Sequence, residues 1–310
     1  MTLASGSGLL RADLHVHSSH SGFTRTLRVF RSRDCYSSPE AVYRTARARG
    51  MDLVAITDHN SIDGCLELLE RRPDAPDILM GEEIECQVPG NGACLHIGAL
   101  GLTERHHREV QPLRANVFEA TGFLRSEGVA LVLHHPLHLF RGQTAVRSYL
   151  EPLLSLVHAV EVRNATMLAA HNELAADITR AWNDQHPHSG LGQTGGSDAH
   201  VLGHVGTSFT EAPGRTREEF LDSLKRGKSR ASGVHGSTAR LAVEIYGVIL
   251  NYWGALLGMG SSGLTGWQRA RAIGYSLVSV PFQFSPMLVS VVQKRAEARR
   301  VAQWRRELQL

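Results

Sequence analysis

Lysine is nearly missing from this sequence. Only Lys225, Lys228 and Lys294 carry it, so no chemistry that needs a side-chain amine can draw on the chain before residue 225. Cysteine is sparse as well. Cys35, Cys65, Cys86 and Cys94 include no C-x-x-C pair, which excludes a disulfide framework and leaves four reduced, mostly buried thiols as the expectation. Aromatic residues make up 6% of the chain, too few to suggest a stacking platform for a long single strand of nucleic acid. Neither sign of charge dominates: 33 Lys plus Arg against 30 Asp plus Glu leave a formal charge of +3. Capture of nucleic acid by charge alone is therefore not implied, and no stable duplex partner is expected. Met1 to Leu14 lack the basic and apolar regions of a secretory signal, which points to a cytoplasmic protein.

What is present is a globular composition, 42% hydrophobic and 20% charged over 310 residues, enough for one large α/β domain or a core with an appendage. Seventeen histidines outnumber Phe, Tyr or Trp, and histidine is both the commonest metal ligand and the near-neutral acid or base. From residue 10 to about 230, short apolar runs alternate with helix-like stretches, the pattern of successive β-α units. One cycle is explicit. Ser38 can cap a helix with Pro39 at its first position, Gly50 ends it, and Asp52–Ile56 follows as a buried strand ending in Thr57-Asp58-His59. Further strands are predicted at Ile78–Met80, Leu95–Leu100, Val129–Leu133, Ala159–Val162 and Gly190–Gln193. Helices are predicted near 108–127, 144–157, 166–185 and 215–226.

The presumed strand ends spell a series: Asp13-Leu14-His15-Val16-His17, Asp58-His59, Glu82-Glu83, His96, His134-His135, Glu161, and Ser197-Asp198-Ala199-His200. On a strand, residues i and i+2 share a face, so both imidazoles of an H-x-H can reach one ion. Parallel barrel strands converge at their C-terminal ends, where residues distant in sequence meet. A single polar residue at a strand end is usually a cap or turn. So many converging ones would be costly to bury without metal.

The runs D-L-H-V-H-S, T-D-H-N, G-E-E-I, L-H-I-G, H-H-P-L, E-V-R-N and G-S-D-A-H, spanning residues 13–207, resemble the successive motifs of the PHP (polymerase and histidinol phosphatase) family. The resemblance implies a distorted (β/α)7 TIM-like barrel that hydrolyses phosphate esters with two or three divalent metal ions, Zn, Mn or Fe. It implies that His15, His17, Glu83 and Asp198 hold the first ion, and that Glu83 bridges to a second held by His96 and His135. It further implies that His59 and His200 hold a third. Glu83 is preferred to Glu82, and His135 to His134, by alignment with the family motifs. The third ion's remaining ligand departs from the pattern, because Gly22 and Phe23 stand where the family carries Asp or His. His20 is taken as the substitute, with Asp34 as the alternative. Glu83, Asp198 and His200 are taken as the catalytic core. Two cations bridged by a carboxylate can generate a hydroxide that attacks phosphorus in line. Arg163, Asn164 and His134 are candidates for contacting substrate, with His138 as a further candidate. Glu161 is read as a residue that orients a ligand.

The expected substrate is a phosphorylated small molecule or a short nucleotide end. An amidohydrolase-like C–N or lactone hydrolase is the alternative enzyme. Its binuclear form bridges the metals with a carbamylated lysine and is excluded by the lysine distribution, leaving a mononuclear version. A non-catalytic metal-binding scaffold is the non-enzyme alternative. Arg11, Arg25, Arg28, Arg31 and Arg33 form a basic run around the first motif, read either as solvated surface or as a phosphate-facing loop. We divide the chain into a barrel, 1–238, and a helical appendage, 239–310. The appendage has no charged residue from Ile245 to Gln268 or from Ala272 to Gln293, and Lys294 to Arg306 is strongly basic. It is expected to pack on the barrel, to form a homo-oligomer contact, or to attach the protein peripherally to a membrane.

Overall fold

The computed structural model describes residues 8–23, 32–90, 92–138, 147–259, 264–280 and 285–310. Arg25, Arg28, Arg31 and the start of the helix expected at 144 lie outside the described residues. The strands are β1 (Leu9–Asp13), β2 (Leu53–Ile56), β3 (Ile78–Gln87), β4 (Cys94–Leu100), β5 (Ala130–His134), β6 (Ala159–Asn164), β7 (Gly192–Gly196), β8 (Ser208–Pro213) and β9 (Arg230–Gly233). They lie side by side in the order β7-β6-β5-β4-β3-β2-β1-β8-β9. Thr210 Oγ1 donates to the Gly195 carbonyl at 2.9 Å and accepts from Gly195 N at 3.0 Å, which brings β8 against β7 and curls the sheet into a nearly closed barrel. The seven expected strands are thus joined by a β8–β9 pair.

The distortion has a local cause. β3 turns directly into β4 without a helix, so β4 runs antiparallel to both β3 and β5. A hairpin needs no crossover, whereas parallel neighbours do. The strand expected to stop at Met80 therefore continues to Gln87. His96 lies near the start of its reversed strand, level with Glu85 on one side and His134 on the other. Reversal is what puts a residue from the beginning of β4 among residues from the C-terminal ends of the other strands.

Helix α1 (Pro39–Ala48) starts at Ser38, whose side chain accepts from Ala41 N, with Pro39 in the first turn. Helix α2 (Asp63–Arg71) has no side-chain bond from its N-cap residue Ile62, but Ser61 Oγ, one residue earlier, accepts from Asp63 N at 3.1 Å. The helix expected over 108–127 is two helices, α3 (Glu104–Val110) and α4 (Val117–Ser126), separated by a 3-10 turn. Pro112 cannot donate a helical hydrogen bond, and the Asn116 side chain caps the second helix by accepting from Phe118 N at 3.1 Å. Helices α5 (Arg147–Leu154), α6 (Ala169–Gln185) and α7 (Arg217–Lys225) cover the later strands. The C-terminal stretch forms α8 (Thr238–Leu256), α9 (Gly266–Ser279) and α10 (Pro286–Leu308). Val301 and Trp304 of α10 are buried in the same apolar cluster as Val160, Leu174 and Ile178 of the barrel. Among the described residues, no helix is long and apolar enough to cross a membrane.

Candidate metal centre

The centre is organised around one carboxylate. Glu83 is fully buried, and six imidazole nitrogens lie within 3.5 Å of its two oxygens. They belong to His96 (2.8 Å), His59 (2.9 Å), His15 and His134 (both 3.1 Å), His135 (3.3 Å) and His17 (3.5 Å). Asp198 Oδ1 stands 3.4 Å from His15 Nε2 and 3.3 Å from His17 Nε2. Period-2 alternation on β3 sends Glu82 to the other face, where it accepts from Gln111 Nε2 and pairs with His107, both at 2.8 Å. His15 and His17 lie on an extended segment held between its neighbours: Thr57 N donates to Val16 O, and His17 N to Ala199 O. Both rings are thereby turned to the barrel axis.

Around this cluster, other groups fix the rings. Glu161 Oε1 is 2.9 Å from His15 Nδ1, and its other oxygen accepts from His135 N. Asp58 accepts from Ser18 N, Ser18 Oγ and Ser21 Oγ, and Ser21 Oγ lies 2.8 Å from His17 Nδ1. Asn164 donates to Glu161 and Asp198, and Thr166 Oγ1 donates to Asp198 at 2.9 Å. These partners leave the Nε2 atoms of His15 and His17 facing the carboxylates. Asn60, His135 and Asp198 hold positive φ angles of 52°, 24° and 51° beside the cluster, backbone strain of the kind that gathers at functional sites.

The electrostatics follow from this packing. Burial alone would raise the Glu83 pKa, but His15, His96 and His59 hold it well below the ordinary carboxylate value. Burial, with His200 and His59 nearby, pushes His17 down to about 3. Its neutral form, the one that can ligate a metal, is therefore favoured. Burial opposes protonation of His200, but Asp34, Asp198 and Glu244 raise it to about 9.

The buried atoms His15 Nε2, His17 Nε2, His59 Nδ1, Glu83 Oε2 and His134 Nε2 have no hydrogen-bond partner. Orphaned polar atoms at such depth are costly. Ligand-competent atoms lie within 4.8 Å of one another in five groups: His15, His17 and Glu83; His15, His135 and Asp198; His59, Glu83 and His96; His15, His134 and Glu161; His17, His59 and His200. The donor set, imidazoles with carboxylates, fits divalent cations.

Three expected residues sit differently. His20 does not turn to His59 and His200; its Nε2 pairs with Glu67 at 2.8 Å. Asp34 takes that place, with Oδ2 at 3.1 Å from His200 Nε2 and 3.3 Å from His59 Nε2. The chain leaves at Phe23 and returns at Arg33 antiparallel to it, and Asp34 N donates to Gly22 O. The segment from Arg33 therefore delivers a carboxylate beside the position where Gly22 has no side chain. Arg163 also stands apart. β6 bulges between Glu161 and Arg163, and the guanidinium meets His235 Nε2 at 2.5 Å, in a cavity lined also by Glu173, Asp177, Arg180 and Arg305. Asn164 is fully buried and bonded to the Glu161 and Asp198 carboxylates, so it positions them. Sequence reasoning missed Ser21, Thr166 and Glu244. The first two carry no pattern. Glu244 had a signal: no other acidic residue stands between it and Glu297.

A family model described as PHP-associated matches residues 187–229, which contain Asp198 and His200. An uncharacterized protein of Methanocaldococcus jannaschii is 32% identical over 76 residues, 24% of this chain. The chain spans 44% of the length of that curated relative. Among solved structures, PsfC from Pseudomonas syringae superimposes with a TM-score of 0.51 at 19% identity, covering 79% of this chain and 98% of its own. A two-domain protein from Bacteroides vulgatus, described as containing a predicted PHP-like metal-dependent phosphoesterase, gives a TM-score of 0.46 at 19% identity, over 76% of this chain and 69% of that one.

Proposed function

We propose that the chain is a metal-dependent phosphoesterase of the PHP domain family, in keeping with the PHP-associated match over residues 187–229, and that it acts on a phosphorylated small molecule or a short nucleotide end. The observation that carries this reading is Glu83, buried at the centre of six imidazoles, with its own Oε2 and one buried nitrogen each of His15, His17 and His59 left without a hydrogen-bond partner. In the proposed assignment, His15, His17, Glu83 and Asp198 hold one ion, Glu83, His96 and His135 a second, and His59, His200 and Asp34 a third. Divalent cations bound there would supply an activated water at neutral pH and offset the charge that builds on phosphoryl oxygens.

The chain's own groups do the rest. Glu161 and the Asp58–Ser21 pair fix the His15 and His17 rings, so Nε2 of each faces inward without reorganisation. His134 stacks on His15 with ring centres 3.9 Å apart and holds its Nδ1 3.1 Å from Glu83, which helps keep both groups in place. The inner residues are closed to water, whereas the side chains of His59, His200 and Asp34 are 22%, 19% and 29% exposed. Substrate therefore enters on that side, and an opening framed by three side chains suits a terminal phosphoryl group.

The test is elemental analysis together with hydrolysis of an aryl phosphate and of a short 5′-phosphorylated oligonucleotide, with and without added Mn. Two or three ions per chain and phosphate release, both lost in Glu83→Gln, are the expected results. Turnover that survives Glu83→Gln would overturn the reading.

A further inference from the structure

We propose that helix α8, the first of the three C-terminal helices, is a working part of the third metal position, with Glu244 as the positioning residue of His200. This rests on the proposed assignment of His59, His200 and Asp34 to that ion. Three observations place α8 there. The Glu244 carboxylate is 5% exposed and accepts from His200 N at 2.7 Å, with the same oxygen 3.8 Å from His200 Nδ1. One turn further on, α8 packs at Gly247 so closely on Val201 that a Cβ there would come within 2.8 Å of Val201 Cγ1. Val201 directly follows His200. Further along, Tyr252 meets Tyr36 edge to face with ring centres 6.4 Å apart, and the Tyr36 hydroxyl accepts from Arg33 N at 2.9 Å. Asp34 lies between those two residues.

One helix thus holds both the segment that carries His200 and the segment that carries Asp34. Each segment is tied to its neighbour here by an isolated bridge alone, Ala199 to Val16 and Arg33 to Phe23, and lies outside the named strands. His200 follows the left-handed Asp198, and Asp34 stands at the end of an excursion that departs from the family pattern. His15, Glu83 and His96 are fixed instead by the sheet and by one another. Displacing α8 should therefore release the third ion and spare the other two. Nothing of this kind follows from the barrel motifs, because Glu244 lies beyond them.

The experiment measures Mn2+ bound per full-length chain over a range of chelator-buffered free Mn2+, for the wild type, Glu244→Ala and Glu244→Gln. Losing the support of a metal ligand typically weakens binding about 10–100-fold. The expected result is that one of three ions weakens by that factor in Glu244→Ala, that the other two keep their affinity, and that Glu244→Gln, which preserves the acceptor, recovers most of the loss. Should Glu244→Ala not fold, Gly247→Ala adds one methyl at the same contact and is read by the same criteria. Three ions at unchanged affinity would overturn the proposal, as would loss of all three together, which would make α8 a general stabiliser. A wild type that binds two ions would also overturn it, while leaving the phosphoesterase reading to its own turnover test.

Discussion

Gly98 offers a sharp test of how tightly the centre is packed. It lies in the middle of β4, facing the His134 ring, and a Cβ built there would stand 2.2 Å from Nε2 and 2.7 Å from Cε1 of that ring. Ordinary contact begins near 3.4 Å, so Gly98→Ala requires the imidazole to retreat by about 1 Å. It has nowhere to go. His134 is 1% exposed, stacks on His15, and holds Nδ1 at 3.1 Å from Glu83. Forced overpacking costs about 1–3 kcal/mol, against a gain of roughly 0.5–1 kcal/mol from replacing a strand glycine by alanine. A net loss of about 1–2 kcal/mol follows, visible as a fall of several degrees in thermal melting. A displacement of about 1 Å in a catalytic constellation can lower turnover ~100-fold. The decisive control is the same substitution in a His134→Ala background, where the ring is gone. There Gly98→Ala should be neutral or stabilising, a coupling that a double-mutant cycle reads directly. Equal costs in both backgrounds, or single-variant turnover within twofold of wild type, would refute the packing argument.

Other consequences can be measured with the same material. Ser21→Ala cuts the link between Asp58 and His17 and should weaken metal binding about tenfold; unchanged affinity would show that the His17 ring needs no such support. Removing metal with a chelator should lower thermal stability, since an ion at 100 times its Kd contributes about 2.7 kcal/mol. Identical melts with and without chelator would speak against a metal centre. Acid should also destabilise the protein through His158, outside the centre. Burial, with Arg125 and Lys225 nearby, lowers its pKa from 6.5 to about 4, and its Nδ1 accepts from Leu131 N. The unfolded chain then takes up the proton first, so stability is present above pH 6.5 and declines as pH falls towards 4. With the group partly exposed, we expect about 1–2 kcal/mol. Denaturant melts at pH 7 and pH 5 check this: wild type should lose more than His158→Gln, and equal losses would refute it.

The parts of the centre legible in the sequence are those fixed by strand geometry. His15 and His17 share a face because they are two residues apart on extended chain, and Glu83 faces inward because Glu82 must then face out. Each ligand type could be read at a strand end, one motif at a time. What escaped depends on events that a local pattern does not encode. A single bulge in β6 shifts the register after Glu161, and one residue of slip moves a side chain to the other face. Arg163, expected at the phosphate, therefore meets His235 instead. The reversal of β4 was equally hidden, because an apolar run reads the same in either direction. Asp34 shows the limit most clearly. It stands seventeen positions after His17, so spacing favoured His20, three positions after it. Proximity came instead from the antiparallel return of Arg33 to Phe23 and the hydrogen bond from Asp34 to Gly22. A position that carries no side chain can thus be served by a carboxylate from further along the chain, and the two must be judged together. Replacing Asp34 should then empty the third position, whereas His20→Ala, which removes only a partner of Glu67, should leave the metal count unchanged.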